Sequence, residues 1–380
     1  MKRCILLLFL ILSTIPLFSL QVSAYESSES YVTEQLEQIE NSIMQHIPSE
    51  TQNLLEQLDI SELSINQILS LEPKKFLQVA KDFLKSQWAE PCKTAGRMFG
   101  ILLFSAILSP IKDSLLKESS VTVFALVSSL CLCTIFLPSL LTCISSCVES
   151  LQNCANFMLV LIPILAAILT ISGKIATAGA YQLILFAACQ LISQMTVSVA
   201  VPLLSVYTAV GSVTAIFPDF NIQSIANGIK TILCWGLGIA TTVFVSYLSL
   251  QTFVTSNIDV VTQKASRFLM GSFIPVVGTI LSDAFGAAQG CLGLIQSTVG
   301  TFGIIVALCI VLPTLLQTIL WYCISWIGLQ CGSLLQTNEL NRMLKVYSNS
   351  FAILLALQCS MLLLVLVSLS LVIVVGAGGK

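Results

Sequence analysis

The sequence predicts an all-α, polytopic membrane helical bundle with a short N-terminal extracytoplasmic helical region, and three observations carry that prediction. Hydrophobic residues fill 56 % of the 380 positions and charged residues 9 %, against roughly 25 % charged in soluble domains. So few charges cannot cover the surface of a soluble fold of this size. The charges are also uneven, because 12 of the 19 acidic residues precede Lys93. Beyond Lys93, apolar runs recur that reach the ~20 residues a helix needs to cross the ~30 Å hydrocarbon core.

Residues 1–24 have the layout of a signal peptide. Lys2 and Arg3 form a basic start, Cys4 to Leu20 an apolar stretch, and Val22-Ser23-Ala24 a small-residue cleavage site. The apolar stretch also suits an uncleaved anchor, and in both cases Tyr25 onward emerges outside the cytoplasm. Residues 25–93 form the acidic extracytoplasmic region. There Leu36, Ile39, Ile43 and Ile47 recur at helical steps of three and four between polar residues. Ser49 and Gln52 resemble a capping box after Pro48, and Pro73 opens a helix carrying Phe76, Val79 and Phe83. This region reads either as a small interaction domain or as a solvated spacer.

The membrane domain, 94–375, is expected to hold about eight helices: 94–111, 121–143, 154–173, 179–210, 229–255, 268–296, 299–326 and 351–375, with 376–380 as a tail. Lysine and arginine concentrate in cytoplasmic loops. With the amino terminus outside, the predicted cytoplasmic turns contain Lys112, Lys117, Lys174, Lys264, Arg267, Arg342 and Lys345, and the short external turns only Lys230. Lys93, Arg97 and Lys380 count against the rule. The segment 268–296, broken by Pro275 and rich in glycine, suits a re-entrant path as well as a crossing.

Three constellations stand out at membrane depth. Gly278, Ser282, Gly286 and Gly290 repeat every four residues, a spacing that lets two helix backbones approach closely. Pro275 and these glycines fit tight packing, or a hinge or pore lining. Asp283 is an acid well inside an apolar segment, where a carboxylate costs roughly 2.5–3.5 kcal/mol and therefore faces a partner or a cavity. Its role is either ion or proton contact or an interhelical hydrogen bond. Gln190, Gln194 and Ser198 give one helix a polar edge, suited to interhelical hydrogen bonding or to a wet conduit.

Enzyme chemistry finds no foothold. His46 is the single histidine, so neither a His-Glu-x-x-His zinc site nor a serine triad in the membrane body can be assembled. No Walker-type loop is present. Cys131-x-Cys133 and the Cys143/Cys147 pair lack histidine companions for zinc. Of the cysteines near the outer face, Cys92, Cys147 and Cys154 are the ones placed to pair in an oxidising compartment. No basic run interleaved with aromatics suggests nucleic acid. No cofactor or metal is expected, and the lipid bilayer is the one partner that composition itself implies.

The run from Lys264 to Asp283, with Phe273-Ile274-Pro275-Val276-Val277-Gly278 followed five residues later by the acid, resembles the stage III sporulation protein AE family of endospore-forming Firmicutes. A second match is Leu161-Ile162-Pro163-Ile164-Leu165 leading into Ser172-Gly173. The cysteine abundance and the polar Gln336 to Glu339 stretch are not features of the family. The resemblance implies a subunit of a sporulation channel or secretion-like complex in the mother-cell membrane around the forespore. It would work with other stage III sporulation membrane proteins and a separate cytoplasmic ATPase, acting as scaffold or conduit for late forespore gene expression. The competing reading is a self-sufficient secondary transporter using Asp283, Pro275 and the glutamine edge.

Overall fold

The computed structural model describes residues 43–45, 47–58, 73–115, 118–217, 223–273 and 278–377. The expected signal peptide and most of the extracytoplasmic region lie outside these residues, as does Pro275. Among the described residues the chain is helical without strands: α1 (Ser49–Gln57), α2 (Pro73–Gln87), α3 (Ala89–Leu115), α4 (Glu118–Ile171), α5 (Ile175–Met195), α6 (Val201–Ile216), α7 (Gln223–Phe273), α8 (Gly278–Leu334) and α9 (Asn338–Ala377). A π-helical turn, Thr196–Ala200, joins α5 to α6 without a break. Six stretches are long and apolar enough to cross a membrane: Ala89–Leu108, Leu126–Ile171, Ile175–Ile216, Ser224–Ser266, Ala288–Leu334 and Asn338–Val375. The protein is an all-α polytopic membrane bundle.

The helices are fewer and longer than the eight expected segments. The segments 121–143 and 154–173 are one helix of 54 residues, and 299–326 continues the second half of 268–296 within a helix of 57 residues. The polar stretch Ser145 to Asn153 that suggests a turn contains neither glycine nor proline. Its residues tolerate a helix, so the chain runs on and its most polar positions become an exposed stripe. Pro138, Pro163 and Pro313 lie within helices that continue through them. Segment 268–296 straddles the end of α7 and the start of α8, and 274–277 lie outside the described residues.

Helix continuity also separates bases expected on one face. Lys174 donates to the carbonyl of Val375 near the end of α9, and Gln263, next to Lys264, reaches Ser172. Lys230 instead donates to Asn349 Oδ1 at 2.7 Å near the start of α9, beside Lys345. Lys174 and Lys264 therefore sit at one end of the bundle, and Arg342 and Lys345 at the other.

α9 runs antiparallel along α8, and the core lies where these two meet α4. Tyr347 stacks on Phe136 with ring centroids 5.4 Å apart, and Trp321 on Phe351 at 6.3 Å. In lipid, apolar surface alone gives helices little reason to associate, so close backbone approach and hydrogen bonds carry more weight. A Cβ at Gly303 would come within 2.5 Å of Leu161 and 3.4 Å of Leu369, and one at Gly300 within 2.7 Å of Ile373. Gly328 lies against Met98 in the same way, which seats α3 on α8. α1 also packs on α8, and Ile43, Ile47, Leu54, Leu55 and Leu58 join the core. The described residues at this edge of the acidic region thus pack an apolar face on the bundle. Ser49 and Gln52 form no capping box: Gln52 donates instead to the carbonyls of Met44 and Ile47, both at 3.0 Å.

Candidate functional site

The densest polar arrangement at one end of the bundle is built around the turn Ser172-Gly173-Lys174. α4 stops here because Gly173 adopts φ +78°, the left-handed conformation that glycine takes without steric cost. Gly173 N–H donates to Thr170 O at 3.0 Å and Lys174 N–H to Leu169 O at 2.9 Å, the two bonds of a Schellman ending. A Cβ at Gly173 would also sit 3.4 Å from the Gln289 amide nitrogen.

The next helix begins at Ile175, and its first-turn N–H groups have no intrahelical acceptor. Asp259, from the second half of α7, supplies one. Its carboxylate accepts from Ala176 N–H at 3.0 Å and from Thr177 N–H at 2.8 Å, so an acid on a distant helix does the work of an N-cap and faces the positive end of the α5 dipole. The Lys174 ammonium donates to Val375 O in the last turn of α9, where the dipole favours a cation. Burial pushes Lys174 below the usual lysine range, and the Asp259 charge opposes that shift. Asp259 is 4 % exposed and Lys174 9 %, so both charges are held away from solvent with their main partners in the protein.

Three amides complete the knot. Gln289 donates to Ser172 O at 3.2 Å and Gln263 to the same carbonyl at 3.4 Å. Gln296 donates to Val372 O at 2.6 Å. These contacts tie α4, α5, α7, α8 and α9 together. Each carboxylate oxygen accepts from a backbone N–H and the ammonium donates to a helix end, an arrangement suited to fixing helix positions.

The residues singled out in the sequence are distributed differently. Gln190 and Gln194 are exposed on α5; Gln194 donates to Ser198 Oγ on its own helix at 3.1 Å. A Cβ at Gly290 meets nothing within 4 Å in this chain, and Gly286 is half-buried. Gly278, Ser282 and Asp283 lie in α8, with side chains outside the described set; Pro275 lies outside it altogether. Asp259, Lys174, Gln289 and Gln296 are the residues that sequence reasoning missed. Placing the end of the fifth segment at 255 left Asp259 just beyond the membrane part. The available signal was the continued apolar periodicity through Ile258, Val260 and Val261. Among the described residues no group of three or more His, Cys, Asp and Glu side chains could hold a metal ion. Cys147 and Cys154 are buried thiols and Cys92 an exposed one, all three free.

Fold and site together define a helical membrane protein whose buried charges fasten helix ends. The chain belongs to the stage III sporulation protein AE family, whose model matches residues 58–378, the whole apolar body. It is 24 % identical over 246 residues to stage III sporulation protein AE of Bacillus subtilis (strain 168), a match covering 65 % of this chain and 62 % of that protein. No solved structure matches the chain.

Proposed function

We propose that this chain is an integral, non-enzymatic subunit of a sporulation channel or secretion-like complex in the mother-cell membrane around the forespore, serving as scaffold or conduit. Its partners in this reading are other stage III sporulation membrane proteins and a separate cytoplasmic ATPase. The observation that carries the proposal is the engagement of the buried charges. Lys174 and Asp259 are committed to helix ends, which favours a fixed framework over a proton- or ion-coupled carrier. A coupled carrier needs an ionisable group free to change state.

The test is recovery of the protein from sporulating cells with its partners held by crosslinking. The expected outcome is co-recovery of other stage III membrane proteins and the ATPase, with forespore gene expression lost in the deletion strain. Recovery of the protein alone, with normal late forespore expression in its absence, would overturn the reading. Asp283→Asn separates scaffold from carrier. At equal abundance it should retain most spore formation, with Asp283→Leu losing more, whereas complete loss in the Asn variant would favour ion coupling.

A further inference from the structure

α4 carries an exposed polar stripe at its centre, Glu149, Gln152 and Asn156. α5 and the π turn after it carry a second, Gln190, Gln194 and Ser198. The two stripes stand at one height. Gln152 and Gln194 are equally far along the chain from Gly173 at the α4–α5 turn, as are Asn156 and Gln190, and Cys154 lies beside Cys189. None of Glu149, Gln152, Asn156 and Gln190 hydrogen-bonds another helix among the described residues.

Both flanks of this belt are apolar and exposed. On the side toward the turn lie Ile171, Ile175, Leu183 and Phe186, and on the far side Leu130, Leu137, Leu141, Val206 and Val213. From Leu130 to Ile171 the helix rises about 60 Å at 1.5 Å per residue, twice the ~30 Å of hydrocarbon a bilayer offers. Lipid placed on one flank leaves the other in water, and lipid centred on the belt leaves a carboxylate and amides against acyl tails. One surface matches the whole alternation, apolar then amide then apolar: the same face of another copy. Two copies inserted in one membrane with the same orientation hold their belts at equal depth. Amides both donate and accept, so the Gln and Asn side chains of one copy can donate to Glu149 of the other.

We propose that copies of this chain associate side by side, in parallel, through the outward faces of α4 and α5, with the belt from Glu149 to Asn156 and from Gln190 to Ser198 at the centre of the contact. This inference rests on the membrane bundle alone and stands or falls apart from the sporulation-complex reading.

The test uses the full chain carrying two different tags, co-expressed in a host that makes no sporulation proteins, with a photo-crosslinking amino acid at Asn156 or Gln190. The expected result is an adduct containing both tags at each position. An average interhelical hydrogen bond in a membrane corresponds to about a threefold change in association. Gln152→Leu with Gln194→Leu should therefore lower the adduct several-fold, while Glu149→Gln, which keeps a hydrogen-bonding group, lowers it less. All three residues are exposed in the single chain, so the thermal midpoint of the variants should match wild type. Adducts with lipid only, adducts with a different protein only, or an unchanged yield in the double leucine variant would each overturn the proposal.

Discussion

Asp259→Ala tests whether the knot at the α4–α5 turn holds the bundle together. The substitution deprives two first-turn N–H groups of their acceptor, Thr177 buried and Ala176 partly buried, and each unsatisfied buried donor costs about 1–3 kcal/mol. It also leaves the Lys174 ammonium, 9 % exposed, without the carboxylate that opposes its desolvation. The two donors together cost about 2–6 kcal/mol. Native cysteines provide the assay, because Cys154 and Cys189 are buried and react with a thiol-sensitive dye only as helices part. At roughly 1–2 °C per kcal/mol for a chain this long, the midpoint in detergent should fall by several degrees. Asp259→Asn keeps one acceptor oxygen and should fall by less. Adding Lys174→Met to Asp259→Ala should restore part of the loss, since the stranded cation is removed. A midpoint for Asp259→Ala within about 1 °C of wild type, a shift of about 1 kcal/mol or less, would refute the reasoning.

Further outcomes follow from the packing. Gly303→Leu must displace Leu161 and Leu369 and should cost about 1–3 kcal/mol through overpacking, whereas Gly290→Leu, with nothing within 4 Å, should leave the thermal midpoint unchanged; equal midpoints would show that the α4–α8–α9 contact is misplaced. Single cysteines replacing Lys264 and Arg342, both exposed, in a cysteine-free background should differ in labelling by an impermeant thiol reagent, because the two lie at opposite ends of the bundle. Identical labelling of both would contradict the parallel run of α7 and α9, whose starts meet at Lys230 and Asn349 and whose far parts meet the Ser172–Lys174 turn. Gln336 holds φ 54° in the turn between α8 and α9, so Gln336→Gly should stabilise the protein by a few tenths to about 1 kcal/mol; a loss of stability would mean that its side chain contributes more than its strained backbone costs.

Much of the architecture was legible in the sequence because membrane insertion has a coarse code. The charge deficit and the apolar runs identify a helical bundle, and the run into Ser172-Gly173 marks a real helix ending. Continuity was not legible. Ser145 to Asn153 looked like a loop because its polarity was weighed and its lack of Gly and Pro was not. The Gln336 to Glu339 stretch turns out to be the α8–α9 turn, closed by Thr337 N–H on Gly332 O at 3.1 Å. The small-residue repeat at Gly278 to Gly290 pointed to close packing on α8. The described close approaches lie further along the same helix, at Gly300, Gly303 and Gly328. Spacing alone identifies a strip of small residues, and the neighbour that fills it is decided by tertiary packing.

The polar residues of this bundle carry register, and that explains why their role resists reading from sequence. Apolar helices in lipid slide past one another at little cost, since acyl tails are as apolar as leucine. A hydrogen bond from Gln296 to Val372 O, or between the Thr208 and Ser350 hydroxyls at 2.9 Å, does not permit sliding. A one-residue slip moves each partner by about 1.5 Å along the axis and rotates it by about 100°, out of reach. The contacts at the two ends, Lys174 with Val375 and Lys230 with Asn349, pin α9 at points about 40 Å apart at 1.5 Å per residue. One slip would break both. A polar residue at membrane depth therefore states that it must meet something polar, while helix rotation decides what. Rotated inward, as at Asp259 and Gln296, it fixes which helices are neighbours. Rotated outward, as at Glu149 and Gln194, it leaves a demand that lipid cannot meet.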